Sequence, residues 1–100
     1  MKHVIICKVK PISGGPPKAL RLKHLEYIQQ HKASILAAGP LLNAANTPAM
    51  ILLITHFTTR QAAEEFIQGD PFVRNGVVRH WTIREWHEAL VAARPPEPAR

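Results

Sequence analysis

The chain has 100 residues, 46% of them hydrophobic and 20% charged, and a formal net charge of +6, which is the profile of one ordinary folded domain whose small core makes pairing with a second copy attractive. The longest apolar run, around Met50–Ile54, is far shorter than the roughly 20 residues a bilayer span needs, and Met1-Lys2-His3 leads straight into a strand-like run rather than a signal peptide, so a cytoplasmic, membrane-free protein is expected. The cations Lys8 and Lys10, Lys18, Arg21 and Lys23, and Arg74, Arg79 and Arg84 are spread over separate segments without an accompanying base-stacking strand, which argues against nucleic acid as the partner.

His3–Val9 is nearly continuous in apolar, β-branched residues, the composition of a strand buried on both faces. Cys7 lies inside that run; with no second cysteine for a disulfide it reads as a buried thiol rather than a reactive one. Ser13-Gly14-Gly15-Pro16-Pro17 is a loop whose prolines suit the first turn of a helix. From Lys18 to Ala38 the residues Leu22, Leu25, Ile28, Ile35 and Leu36 stay near one helical stripe, and Gly39-Pro40 supplies a stop, so a single long helix is expected.

Leu41-Leu42 reads as a short extended segment, Asn43–Pro48 as a turn and Ala49–Phe57 as a strand, the latter two forming a hairpin with the first. Thr58 followed by Gln61 suggests a capping box for a second helix with Ala62, Ala63, Phe66 and Ile67 on its buried face, ended by Gly69 and Pro71. Val77–Ile83 alternates as a closing strand, with Val77, Arg79, Trp81 and Ile83 on one face and Val78, His80 and Thr82 on the other. The domain is expected over residues 1–93, followed by a flexible tail at 94–100. The order strand, helix, strand pair, helix, strand is that of an α+β, ferredoxin-like βαββαβ domain with an antiparallel sheet, whose uncovered face is best covered by the same face of a second copy.

Arg21, His24, Leu25 and Tyr27 in the first helix, Ala38-Gly39-Pro40-Leu41 at its exit, and Asp70-Pro71-Phe72 after the second helix, in that order and over most of the chain, resemble the pattern of the YCII-related (YciI-like) family. The resemblance implies a homodimeric ferredoxin-like fold, a dimeric α/β barrel related in shape to muconolactone isomerases and small monooxygenases. It also implies a His and Asp active site in each subunit, at the positions of His24 and Asp70. The family's best understood members resemble lyases that remove a halide from hydroxylated aromatic rings. Asn43–Pro48 departs from the glycine-rich hairpin turn expected of relatives, which bears on the shape of the cleft and the substrate rather than on the fold.

Histidine both takes and gives a proton near neutral pH, so His24 is the candidate general acid or base. A carboxylate on one ring nitrogen would set its tautomer and leave the other for a substrate, the part assigned to Asp70. Arg21 would bring positive charge to an acidic or phenolic ligand, and Tyr27 and His31 project from neighbouring parts of the same helix face as His24. Gly39, Pro40 and Phe72 complete the candidate substrate-binding set. Asp70 before Pro71 is also the pattern of a helix N-cap, and His24, Tyr27 and His31 also read as ordinary helix residues. No histidine pair has zinc-site spacing and no dinucleotide or phosphate-loop fingerprint is present, so neither a metal nor a cofactor is expected. Trp81 and Trp86 read as core and interface aromatics. The residues together with the family resemblance imply a cofactor-independent, dehydrochlorinase-like lyase or isomerase acting on a small anionic or aromatic molecule, with a non-catalytic dimeric module that binds a metabolite or protein as the alternative.

Overall fold

Along residues 1–92, the part of the chain that the computed structural model describes, the elements are β1 (Lys2–Val9), α1 (Lys18–Gln30), a 3-10 turn (Lys32–Ser34), β2 (Ile35–Leu42), β3 (Pro48–Thr55), α2 (Arg60–Gln68), α3 (Pro71–Arg74) and β4 (Val78–Trp86). The tail expected at residues 94–100 lies outside the described residues. The strands form one antiparallel sheet of order β2-β3-β1-β4, the ferredoxin-like arrangement.

β1 sits inside the sheet, paired with β3 from His3 opposite Thr55 to Lys8 opposite Met50. One of its faces, His3, Ile5 and Cys7, is buried beneath the helices with Leu53, Thr55, Val78 and Ile83. The other face, with Val4 and Ile6 of β1 and their β3 partners Ile54 and Leu52, is only half-buried. Burial on both faces of β1 is therefore met on one side within a single chain. On α2, Ala63, Phe66 and Ile67 are buried and join this core.

Three local expectations are corrected. The first helix stops at Gln30 and not at Ala38, because Ser34 turns back onto the His31 carbonyl at 2.9 Å and Ile35 then pairs with Thr55. The run Ile35-Leu36-Ala37-Ala38 is short and apolar, a pattern that a strand and a buried helix end share, and pairing with β3 decides it. Gly39 and Pro40, expected as the helix stop, lie inside β2. The strand tolerates Pro40 because β2 is a sheet edge, where a missing ladder N–H costs little.

The cap of α2 is Thr59 rather than Thr58, its side-chain oxygen accepting from the Ala62 N–H at 3.1 Å. In β4, the register slips at Lys8/Val9, so that Lys8 faces His80 and Val9 faces Val78. This bulge places Val78 on the same side as Trp81 and Ile83, not opposite them, because an extra residue inverts the alternation on one side of it.

Candidate functional site

On α1 the leucines that define the sequence stripe do not make the buried face. Leu22 and Leu25 are about half exposed, at 49% and 53%, whereas His24 is 8% exposed and is the buried residue of the helix. Leu20, Tyr27 and Ile28 flank it against the core. The helix thus presents a histidine where an apolar side chain would ordinarily stand, and an interior imidazole needs a polar partner.

That partner is Asp70, 1% exposed at the exit of α2. His24 Nδ1 lies 2.8 Å from Asp70 Oδ1 and 3.1 Å from Oδ2. Asp70 Oδ1 also accepts from the Phe72 backbone N–H at 2.8 Å, capping α3, with Pro71 at its first position. The cap and the histidine contact are therefore both present in one carboxylate. An ionised carboxylate only accepts hydrogen bonds, so Nδ1 carries the proton it donates and Nε2 keeps its lone pair. Phe72 completes the mounting, its ring stacked on the imidazole at 4.0 Å between centroids and 4° between planes.

His24 of the pair faces a cleft of about 310 Å³ between α1 and the β2–β3 side of the sheet, lined also by Arg21, Leu25 and Ile28 of α1, Ala38, Gly39 and Pro40 of β2, and Ile51, Leu53 and Phe72. Arg21, His24, Gly39, Pro40 and Phe72 are thereby brought to one cavity. Tyr27 and His31 are not, and the expectation that they share a wall with His24 is corrected. The Tyr27 hydroxyl donates to the Phe66 carbonyl at 2.7 Å, His31 Nδ1 donates to the Tyr27 carbonyl at 2.9 Å, and both rings pack on Phe66. They sit behind the site, held against Phe66 of α2, while Ile28 of the same turn faces the cleft.

The buried Asp70 charge is felt nearby. Burial, and after it the Asp70 charge, push the Cys7 thiol up from 9.0 to about 12. Burial and then Asp70 likewise raise the Tyr27 hydroxyl, against an opposing effect of Arg74. Cys7 is therefore a protonated core thiol below the site. The apolar walls supplied by Leu25 and Ile51 were missed in the sequence, where each is one aliphatic residue among many. Among the described residues no three His, Cys, Asp or Glu side chains gather as metal ligands, and no helix is long and apolar enough to cross a membrane.

A ferredoxin-like α+β domain with a His–Asp pair set into a cleft between its first helix and the sheet is the class of protein that fold and site define. The model of the YCII-related domain matches residues 1–87, and the chain belongs to that family. Among solved structures it is similar to 5-chloro-2-hydroxyhydroquinone dehydrochlorinase (TftG) from Burkholderia phenoliruptrix AC1100, solved in complex with 2,5-dihydroxybenzoquinone, with 23% identity and a TM-score of 0.70 over 89% of this chain and 96% of that one. It is also similar to Rv0793 from Mycobacterium tuberculosis, with 18% identity and a TM-score of 0.53 over 90% of this chain and 100% of that one. At these identities the likeness is one of fold. No curated protein matches the sequence.

Proposed function

We propose that the chain is a homodimeric, cytoplasmic enzyme of lyase or isomerase type, in which His24, oriented by Asp70, moves a proton on a small aromatic or anionic molecule held in the cleft. The observation that carries this reading is the 2.8 Å contact of His24 Nδ1 with a buried carboxylate at the wall of a cavity. It leaves Nε2 as the basic atom, and Asp70 stabilises the imidazolium formed when Nε2 takes a proton. Removal of a proton from a phenolic hydroxyl, or from carbon beside a carbonyl, releases an electron pair into the ring. That pair is captured by a proton at a ring carbon to give the keto tautomer, and where that carbon carries a halide, loss of a second hydroxyl proton then forms a C=C bond to it as the halide leaves, giving a quinone and hydrogen halide. Such a step needs a placed base and a water-poor cleft and no cofactor. The reaction class is the one named for the structurally similar dehydrochlorinase. A second copy covering the open sheet face is part of the reading, and a buried, unpaired Cys7 suits a reducing compartment.

The test has two arms. The imidazole nitrogen NMR spectrum should show His24 as the Nδ1–H tautomer in the native protein and a tautomer mixture in Asp70→Ala, with the other histidines unchanged. Chloride release from 5-chloro-2-hydroxyhydroquinone should fall about 10²–10⁴-fold in His24→Ala. An unaltered His24 spectrum in Asp70→Ala rejects the pair. An intact pair combined with binding but no turnover of hydroxylated rings favours the non-catalytic binding module.

A further inference from the structure

The cleft at His24 continues outward. A second chamber of about 710 Å³, between the Lys10–Pro16 loop and the β2–β3 turn, shares Val9, Pro16, Arg21 and Pro48 with it. The ionisable side chains lining the two chambers are the cations Lys10 and Arg21 and the imidazole of His24. Among the described residues Lys10 and Arg21 form no side-chain ion pair, unlike Arg60, which meets Glu64 and the Ile83 carbonyl. The pattern extends along the chain, since residues 1–59 hold seven Lys and Arg against Glu26 alone, while residues 60–100 hold six against six acids. The net charge of +6 thus lies in residues 1–59, the part of the chain that includes the walls of the outer chamber.

Resting on the proton-transfer reading of the inner cleft, we infer that the outer chamber takes a carboxylate arm of the substrate, so that the ligand is an aromatic ring carrying a short anionic side chain. Apolar walls receive the ring at His24, and the charge is received by Arg21, about one helical turn before it on α1, with Lys10 lining the outer chamber beyond. A turn rises about 5.4 Å, the reach of a two-carbon arm from a ring. Of the other polar groups lining it, the Gly15 N–H goes to the Ile12 carbonyl and the Asn43 Oδ1 accepts from Ala45 and Thr47, while the Ser13 hydroxyl and the Asn43 amide NH2 are neutral donors. Two single cations match the two oxygens of a carboxylate.

The experiment measures binding of 3-(4-hydroxyphenyl)propanoate and of its neutral amide to the full chain, following the His24 ring resonances, in the native protein, Lys10→Gln and Arg21→Gln. The acid should bind about five- to tenfold more tightly than the amide, both should move the His24 resonances, and each substitution should erase most of the preference for the acid. Equal affinities for acid and amide, with His24 perturbed by both, overturn the anionic arm and leave the inner-cleft reading standing. A preference for the acid that survives both substitutions places the charge elsewhere and also overturns it, as does binding of neither probe. A preference that depends on Lys10 and Arg21 without movement of His24 supports the carboxylate site and removes the ring from the proposed base.

Discussion

The imidazole of His24 lies flat against the ring of Phe72, 4.0 Å between centroids and 4° from parallel, while the backbone N–H of that same Phe72 binds the carboxylate that holds the histidine. One residue of α3 thus fixes both the plane of the imidazole and the position of its partner. In Phe72→Leu the backbone contact survives and the stacking does not. The ring protons of His24, shielded by the aromatic face in the native protein, should move downfield in a proton NMR spectrum, with a loss of about 1–2 kcal/mol in urea unfolding. Unmoved His24 signals would show that the two rings are not stacked in solution.

Gly69, immediately before Asp70, is required by α1. A methyl group at its Cα would lie 2.5 Å from the Tyr27 hydroxyl oxygen and 3.2 Å from Tyr27 Cζ, and that hydroxyl is held by the Phe66 carbonyl. Gly69→Ala should cost about 1–3 kcal/mol through overpacking. A double-mutant cycle with Tyr27→Phe, which removes the nearest atom, should show coupling, the alanine costing less than half as much in the phenylalanine background. Additive losses would exclude the contact as the cause.

Alkaline conditions should weaken the fold through Cys7. Below its ordinary pKa of 9.0 the thiol is protonated in both folded and unfolded chains. Between 9.0 and the folded value of about 12, the unfolded chain gives up a proton that the folded chain retains, so stability falls as pH rises. Urea midpoints measured from about pH 8 to about pH 10.5 should decline more steeply in the native protein than in Cys7→Ala. Parallel slopes would contradict a buried, high-pKa thiol. Tyr27, also raised by burial, adds to the decline equally in both proteins.

The open sheet face should be an interface. Val4, Ile6, Leu52 and Ile54 lie half-buried there, and apolar sheet faces are seldom left to water. Light scattering should give about twice 11.2 kDa for the native protein. Leu52→Glu should give a single chain with its circular dichroism unchanged. A native mass of one chain would remove the dimer from the proposed function.

What the sequence determined by itself was the order of the four strands and of the two longer helices and the α+β class, while the family resemblance named two residues 46 positions apart as a candidate site. The strands at β1 and β3 and the helix at α2 announce themselves because their periodicity and their burial agree, and Asp70-Pro71 announces a cap because local geometry suffices for it. Tertiary structure alone decided where α1 ends, since the segment Ile35–Ala38 suits a helix or a strand and the free edge of β3 selects the strand. It also decided which face of α1 turns inward. The leucine stripe pointed to Leu22 and Leu25, but a buried hydrogen bond to Asp70 outweighs two half-exposed leucines, and no local pattern reports a partner supplied by another helix. For the same reason Tyr27 and His31, neighbours of His24 in sequence, are separated from its cleft, whereas Lys10, remote in sequence, stands at the mouth that Arg21 shares. Covalent order sets which side chains lie on one element, and the docking of elements sets which of them meet.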